Sequence, residues 1–329
     1  MNLGKRFSTW RPWGGGRYIV KKPVRGLKID DFTVKPDVEF ADFLAPYGEA
    51  GYVFFGVPFD ATSTHRKGAS GAPRRIREES YNFETYVMEA DLDLSEVKMA
   101  DVGDINTLNS LEDQTALMDK IYSLTSRILK DKKVFLMAGG DHSITPPAVD
   151  SFASVHPSGF YLVLDAHLDF RAVFDENPLS HACSSRRVAE ILGEENMAII
   201  GVRSMSSKER DEAKRYGLKY YPSWDVADKG ILSIITELLE EKGLAKRPIY
   251  LSIDMDVVDP AFAPGVGNPE PWGLHPKELL EVLRILGANI KSMDITEVNP
   301  KYDVGNTSSL AARLFRTFVA FNFKSIINR

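Results

Sequence analysis

Three short polar clusters hold the residues of this chain whose types and spacing could do chemistry. They are Gly139-Gly140-Asp141-His142-Ser143, Asp165-Ala166-His167-Leu168-Asp169 and Ser252-Ile253-Asp254-Met255-Asp256. Each follows or closes an apolar run, at 133–138, 160–165 and 248–254. Alternate residues of an extended chain point the same way, so Asp165, His167 and Asp169 converge if strand geometry persists, as do Asp254 and Asp256. Four carboxylates crowded at the mouth of an apolar sheet cannot all stay ionised unless a cation joins them. His142 and His167 beside those aspartates suit a divalent transition metal. Six ligands exceed what one ion usually takes from protein, so two ions sharing bridging carboxylates, roughly 3.5–4 Å apart, fit better. Taken singly, each cluster is also a plain polar turn, with Asp141 or Ser143 capping a helix entry. Their shared position at strand ends is what favours metal.

The elements that must position these residues alternate along the chain. Apolar runs at 52–57, 98–102, 133–138, 160–165, 197–202, 218–221, 248–254 and 290–295 read as strands. Several are apolar at consecutive positions, as strands covered on both faces are. Between them lie helical patterns, such as Leu111, Leu117, Ile121, Leu124 and Ile128 within 111–130. A second spans 276–287, where Pro276 opens a stripe of Leu279, Leu280, Leu283 and Leu286. Strand–helix alternation predicts one three-layer α/β/α domain on a mostly parallel sheet of about eight strands. In such sheets ligands collect beyond the carboxyl ends of the strands, where the three clusters lie.

Composition narrows the partners. The 329 residues are 43% hydrophobic and 26% charged, the balance of a soluble globular protein. No apolar stretch is long enough to span a membrane. A net charge of −5 argues against a nucleic-acid partner. Cys183 is the sole cysteine, which excludes an intrachain disulfide and fits a reducing, cytoplasmic setting. Residues 1–30 form a basic arm, with eight Lys/Arg before the first acidic residue at Asp30. The arm also carries Trp10 and Trp13, and it reads as a segment that packs on its own or a neighbouring subunit. A targeting leader is the lesser reading, because Pro12, Pro23 and Gly14 to Gly16 oppose an amphipathic helix. Residues 31–329 are then the domain that carries the three clusters.

The chain resembles the ureohydrolase family of arginases and agmatinases over roughly residues 51–320. The resemblance rests on Gly56-Val57-Pro58-Phe59-Asp60, the three clusters in order, Asp259-Pro260-Ala261-Phe262-Ala263-Pro264-Gly265 and Asp294-Ile295-Thr296-Glu297-Val298-Asn299-Pro300. It implies an eight-stranded α/β/α fold and two Mn2+ per subunit. The first ion would be held by His142, Asp165, Asp169 and Asp254, and the second by His167, Asp165, Asp254 and Asp256. His181 would shuttle a proton and Glu297 would hold the substrate guanidinium. Read without the resemblance, His181 is an ordinary polar loop residue and Glu297 a carboxylate at a strand end. The implied chemistry is coherent: a guanidinium is a poor electrophile, and two divalent ions supply hydroxide near neutral pH. Asp169 would steer the hydroxide proton towards the departing amine, and a partly exposed His181 would protonate it.

The stretch from Asp175 to Arg187, with Ser180-His181, and the Pro269-Glu270-Pro271 motif are similar to agmatinases more than to arginases. That implies a small cationic guanidino substrate, agmatine, cleaved to putrescine and urea, by a homo-oligomer (trimer or hexamer). Guanidinobutyrate, aminopropylagmatine and arginine are the alternative substrates, and a non-catalytic metal-binding regulator is the alternative class. Two departures bear on the tail: Trp272 stands where agmatinases carry glycine, and Gly68 to Pro73 lacks the usual arginine and second glycine. An indole there, lining the tail pocket, would narrow the tail channel or stack on a longer cationic substrate. His65 lies in a loop bordering the pocket, while His156 and His275 precede prolines in a turn and a helix entry. Cys183 is no nucleophile, because the metal-activated water already fills that role.

Overall fold

The computed structural model describes residues 28–41 and 44–328. Most of the basic arm therefore lies outside the described residues. The strands are Thr33–Val34 (β1), Tyr52–Gly56 (β2), Tyr86–Val87 (β3), Leu92–Asp93 (β4), Met99–Ile105 (β5), Val134–Ala138 (β6), Phe160–Leu164 (β7), Met197–Val202 (β8), Tyr220–Pro222 (β9), Ile249–Asp254 (β10) and Ile290–Thr296 (β11). The helices are Ala72–Ser80 (α1), Gln114–Lys130 (α2), Thr145–Val155 (α3), Ser184–Leu192 (α4), Ser207–Tyr216 (α5), Ser223–Lys229 (α6), Ile231–Lys242 (α7), Pro276–Leu286 (α8) and Asn306–Ile327 (α9).

The central sheet runs β1-β5-β2-β6-β11-β10-β7-β8-β9, while β3 and β4 form a separate hairpin. All central pairings are parallel except β1 with β5. The sheet thus has nine strands where the apolar runs predict about eight. The addition is the antiparallel edge strand β1, whose two residues, Thr33 and Val34, are too few to show a period. The other eight correspond to the eight predicted runs, with ends shifted by a few residues.

Two apolar layers explain why the runs do not alternate with polar residues. Phe54, Leu136, Leu162 and Leu251 face one side, with α1, α7, α8 and α9. Val53, Phe55, Phe135, Met137 and Val163 face the other, with α2, α3 and α4. Burying each such side chain stabilises the fold by about 1.5–3 kcal/mol. Helix ends are specified locally: His275 caps α8 by accepting from the Lys277 amide, with Pro276 in the first turn.

Four adjacent central strands, β6, β11, β10 and β7, finish level with one another. Ala138 pairs with Ile295, Thr296 with Asp254, and Ile253 with Leu164. Here the strand order reverses, the place where open parallel sheets bind ligands. All three polar clusters and Glu297 lie at or just beyond these four ends.

Candidate active site

Past β6 the chain must turn tightly against the loop after β2. Gly140 permits it, since a Cβ there would collide with the Phe59 carbonyl. The Asp141 amide donates to that same carbonyl at 2.8 Å. The Asp141 side chain caps the short turn His142–Ile144 by accepting from the Ser143 amide. The cap reading of Asp141 therefore holds, and it is what aims His142.

His142 is fully buried, and both ring nitrogens are specified. The Ser252 hydroxyl donates to Asp294 Oδ1, so at 3.2 Å from His142 Nε2 it accepts the hydrogen on that nitrogen. Tyr250 and Thr145 hydroxyls hold the other oxygen of Asp294. This network assigns the Nε2–H tautomer and leaves Nδ1 facing the sheet mouth. There Asp165 Oδ2, Asp169 Oδ2 and Asp254 Oδ2 lie 3.3, 3.2 and 3.2 Å away. His142 Nδ1 and Asp165 Oδ2 are buried yet have no hydrogen-bond partner. One nitrogen lone pair surrounded by three carboxylate oxygens is what a cation between them satisfies.

A second convergence adjoins the first. Asp165, His167 and Asp256 offer ligand atoms within 4.8 Å of one another, as do His142, Asp165 and Asp169. Asp165 belongs to both groups, one oxygen towards each. His167 Nδ1 is 3.0 Å from Asp256 Oδ2, and its Nε2 is 3.5 Å from Glu270 Oε1. The donor set of two imidazoles and four carboxylates fits two divalent ions.

Convergence does not come from continued strand geometry. β7 stops at Leu164, and Asp169 reaches the cluster through a left-handed backbone, φ +47. Asp254 ends β10, and Asp256 sits in the turn Met255–Val257, its amide donating to Asp254 Oδ1 at 2.9 Å. The alternation argument thus picks out side chains that do converge, but for an incomplete reason: tight turns, not extended chain, direct them. Arg203 holds the loops that carry them by donating to the carbonyls of Asp256, Val257 and Glu270.

Electrostatics match the geometry. Burial, then the charges of Asp256 and Asp165, hold the Asp254 carboxyl well above the usual range. Asp169 is raised by burial and then by Asp165. Burial disfavours protonated His142, but Asp165, Asp169 and Asp254 outweigh it and raise the imidazole well above its ordinary value. The cluster therefore takes up protons wherever no metal supplies positive charge.

Glu297 follows β11 in a left-handed conformation, φ +61, a strain of the kind found at functional sites. Its Oε1 accepts from the His142 amide at 2.9 Å. Gly267 leaves room for it, because a Cβ there would stand 3.1 Å from Glu297 Oε2. Burial, then Asp141, raise the Glu297 carboxyl well above normal. His167, Asp169, His181, Asp254, Asp256 and Glu297 all line one cavity of about 240 Å³. His181 is only 7% exposed, so it is a buried wall of that cavity and not the partly exposed side chain anticipated.

Trp272 is placed otherwise. It is 83% exposed, adopts φ +63, and does not line the cavity. Arg203 clamps the carbonyls of Glu270 and Pro271 on the preceding turn, which carries the indole out to solvent. The expectation that it lines the tail pocket is not met. His65 is exposed and lines neither this cavity nor its neighbour, although adjacent Thr64 lines both. Cys183 is buried, with its thiol pushed up to about 12 by burial, so it is a poor nucleophile. Ser252, Asp294 and Glu270 are present in the sequence motifs, but their roles, and Arg203 altogether, escaped the sequence reading. The two-residue spacing of Ser252 from Asp254 on one strand face was the available signal for the first.

The arginase family model matches residues 50–320. An agmatinase from Bacillus cereus is 36% identical over 277 residues, covering 82% of this chain and 90% of its own. An N(1)-aminopropylagmatine ureohydrolase from Thermococcus kodakarensis is 34% identical over 270 residues, covering 81% and 88%. The crystal structure of the agmatine ureohydrolase of Thermoplasma volcanium superposes with a TM-score of 0.82 at 39% identity, over 91% of this chain and 97% of that one.

Proposed function

From the premise that this chain belongs to the arginase family and is a ureohydrolase, we propose that it is a binuclear manganese enzyme that hydrolyses agmatine to putrescine and urea. The observation that carries the reading is the set of two imidazoles and four aspartates around two adjoining cation positions, on the same cavity as Glu297. His142, Asp165, Asp169 and Asp254 would hold the first ion; His167, Asp165, Asp254 and Asp256 would hold the second. When bound, the two ions ionise a water near neutral pH to serve as the nucleophile.

The side chains do the rest. Glu297 takes paired hydrogen bonds from the planar guanidinium and orients its carbon for attack. Burial and the charge of Asp141 raise its carboxyl, and a cationic guanidinium supplies the positive charge that favours the carboxylate form. Asp169 accepts the nucleophile's proton and directs it towards the departing amine. His181 gives the amine a proton as the C–N bond breaks, so that it leaves as an ammonium and not as an amide anion. A homo-oligomer (trimer or hexamer) in the cytoplasm completes the proposal. No described helix is long and apolar enough to cross a membrane.

A longer cationic tail is the second reading. A cavity of about 220 Å³ adjoins the first, sharing Thr64 and Phe174, and Asp175 on its wall offers an anion to a distal amine. Purified manganese-loaded protein should be given agmatine, aminopropylagmatine, guanidinobutyrate and arginine, and urea measured. Agmatine should give the highest kcat/KM. Preference for the aminopropyl compound selects the second reading, and no urea from any member contradicts both.

A further inference from the structure

Thr62 lies in the loop after β2, buried, and its hydroxyl links two groups that the sequence keeps far apart. Thr62 Oγ1 donates to Asp141 Oδ2 at 2.8 Å, and the Thr62 amide donates to the same oxygen at 2.9 Å. The other oxygen of Asp141 accepts from the amide and hydroxyl of Ser143. Asp141 is thus fully engaged as an acceptor, and its orientation is fixed from both sides.

On its far side, Thr62 Oγ1 meets His181 twice. It accepts from the His181 amide at 3.0 Å and stands 3.3 Å from the ring Nδ1. A hydroxyl has one hydrogen and two lone pairs. The hydrogen is committed to Asp141, so towards the imidazole this oxygen can only accept. A contact with Nδ1 is then favourable only when Nδ1 carries a hydrogen. Ser180 Oγ, 3.4 Å from the same nitrogen, is a second oxygen able to accept it. Nε2 is left as the nitrogen that exchanges a proton, on a ring that lines the reaction cavity.

We propose that Thr62, anchored by Asp141, is a positioning residue that holds His181 in the Nδ1–H tautomer and so sets Nε2 as its proton-transfer atom. The proposal rests on the ureohydrolase reading of the cavity. In the step it serves, the Nε2–H bond of the imidazolium breaks as a new N–H bond forms on the leaving nitrogen. That nitrogen keeps the electron pair of the broken C–N bond. The ring is left neutral with its hydrogen on Nδ1, and the next water restores the proton at Nε2. Without the Thr62 oxygen, only the more distant Ser180 hydroxyl is left to hold the hydrogen on Nδ1, and a share of molecules presents the wrong nitrogen.

Thr62→Val keeps the shape and removes the oxygen, and Thr62→Ser restores it. With manganese-loaded protein and the best guanidino substrate, Thr62→Val should lower kcat about 10- to 100-fold, part of the loss that removing a general acid brings. KM should stay within about twofold and the metal content should be unchanged. Thr62→Ser should recover at least about half of wild-type kcat. Wild-type kcat in Thr62→Val, or a Thr62→Ser as slow as the valine variant, overturns the proposal.

A second readout needs no turnover. In zinc-loaded, 15N-histidine-labelled protein, the His181 ring signals are assigned by their loss in His181→Ala. Wild type should show Nδ1 protonated and Nε2 not, and Thr62→Val should lose that single pattern. An Nε2-protonated ring in wild type overturns the proposal whatever the kinetics. Protein that keeps the Nδ1–H pattern but releases urea from no guanidino compound overturns the functional reading instead.

Discussion

Two places in this molecule bury a knot of charge, and they are finished in different ways. Under the β1 edge of the sheet, Arg77 of α1 is fully buried against Asp101 and Asp104 of β5. Its Nε and Nη2 donate to the two oxygens of Asp101 at 2.7 and 3.0 Å, and Nη1 donates to Asp104 at 2.6 Å. Amides of Phe40 and Gly103 complete Asp101. At the mouth of β6, β10 and β7, four aspartates face two histidines, and His142 Nδ1 and Asp165 Oδ2 stay without hydrogen bonds. The first knot is closed by the chain's own cation and is structural. The second carries an anionic surplus that protons or an imported cation must offset, and such a site can do chemistry. Buried charge alone does not mark function; buried ligand atoms left without a hydrogen-bond partner do.

The comparison breaks most sharply if the second knot loses a carboxylate. Asp254→Asn should lower kcat/KM by at least about a thousandfold, because the shared ligand goes. It should also bind fewer than two ions per subunit and lose the stabilisation that metal confers, about 2.7 kcal/mol at a hundredfold excess over Kd. Metal analysis and thermal melts with and without manganese check this. A variant with unchanged metal content would deny Asp254 its bridging place.

Arg77→Met should do the opposite. It leaves two carboxylates without their cation and should cost about 3–5 kcal/mol of stability, read by urea unfolding. The folded fraction should keep its two ions and its kcat. A loss of metal affinity equal to that of Asp254→Asn would show that the two knots are not separable.

The smallest effect sharpens the contrast through pH. In metal-free protein, Asp254 has a raised pKa, so its folded-state penalty is absent below the ordinary aspartate value of about 4 and grows as pH rises towards the raised value. The metal-free Tm should therefore fall over that window, while the gain in Tm on adding manganese should grow. Manganese binding near pH 7 should also release protons, measurable in weakly buffered solution. No proton release would mean that the cluster was already ionised.

Much of this was legible in the sequence because it is local. Apolar runs of four to seven residues reveal the parallel strands, and Asp165, His167 and Asp254 sit at fixed offsets from their ends. The edge strand β1 was not legible, since two residues held only by pairing to Asp104 and Ile105 have no signature of their own. Nor was the exposure of Trp272, which depends on Arg203, 69 positions earlier, fixing the turn before it. The Thr62 link to His181 spans 119 residues and turns on one hydroxyl hydrogen, which no spacing rule encodes. Glu297 was recognisable by its motif, while its left-handed backbone and its bond to the His142 amide appear only when β6 and β11 lie side by side.

The most direct test is a crystal structure of manganese-loaded protein with anomalous data collected at the manganese edge. Two peaks roughly 3.5–4 Å apart should appear, one coordinated by His142 Nδ1 and the other by His167 Nδ1, with Asp165 between them. No peak at those nitrogens, or a single ion with His167 turned away, would contradict the binuclear centre on which the proposed hydrolysis depends.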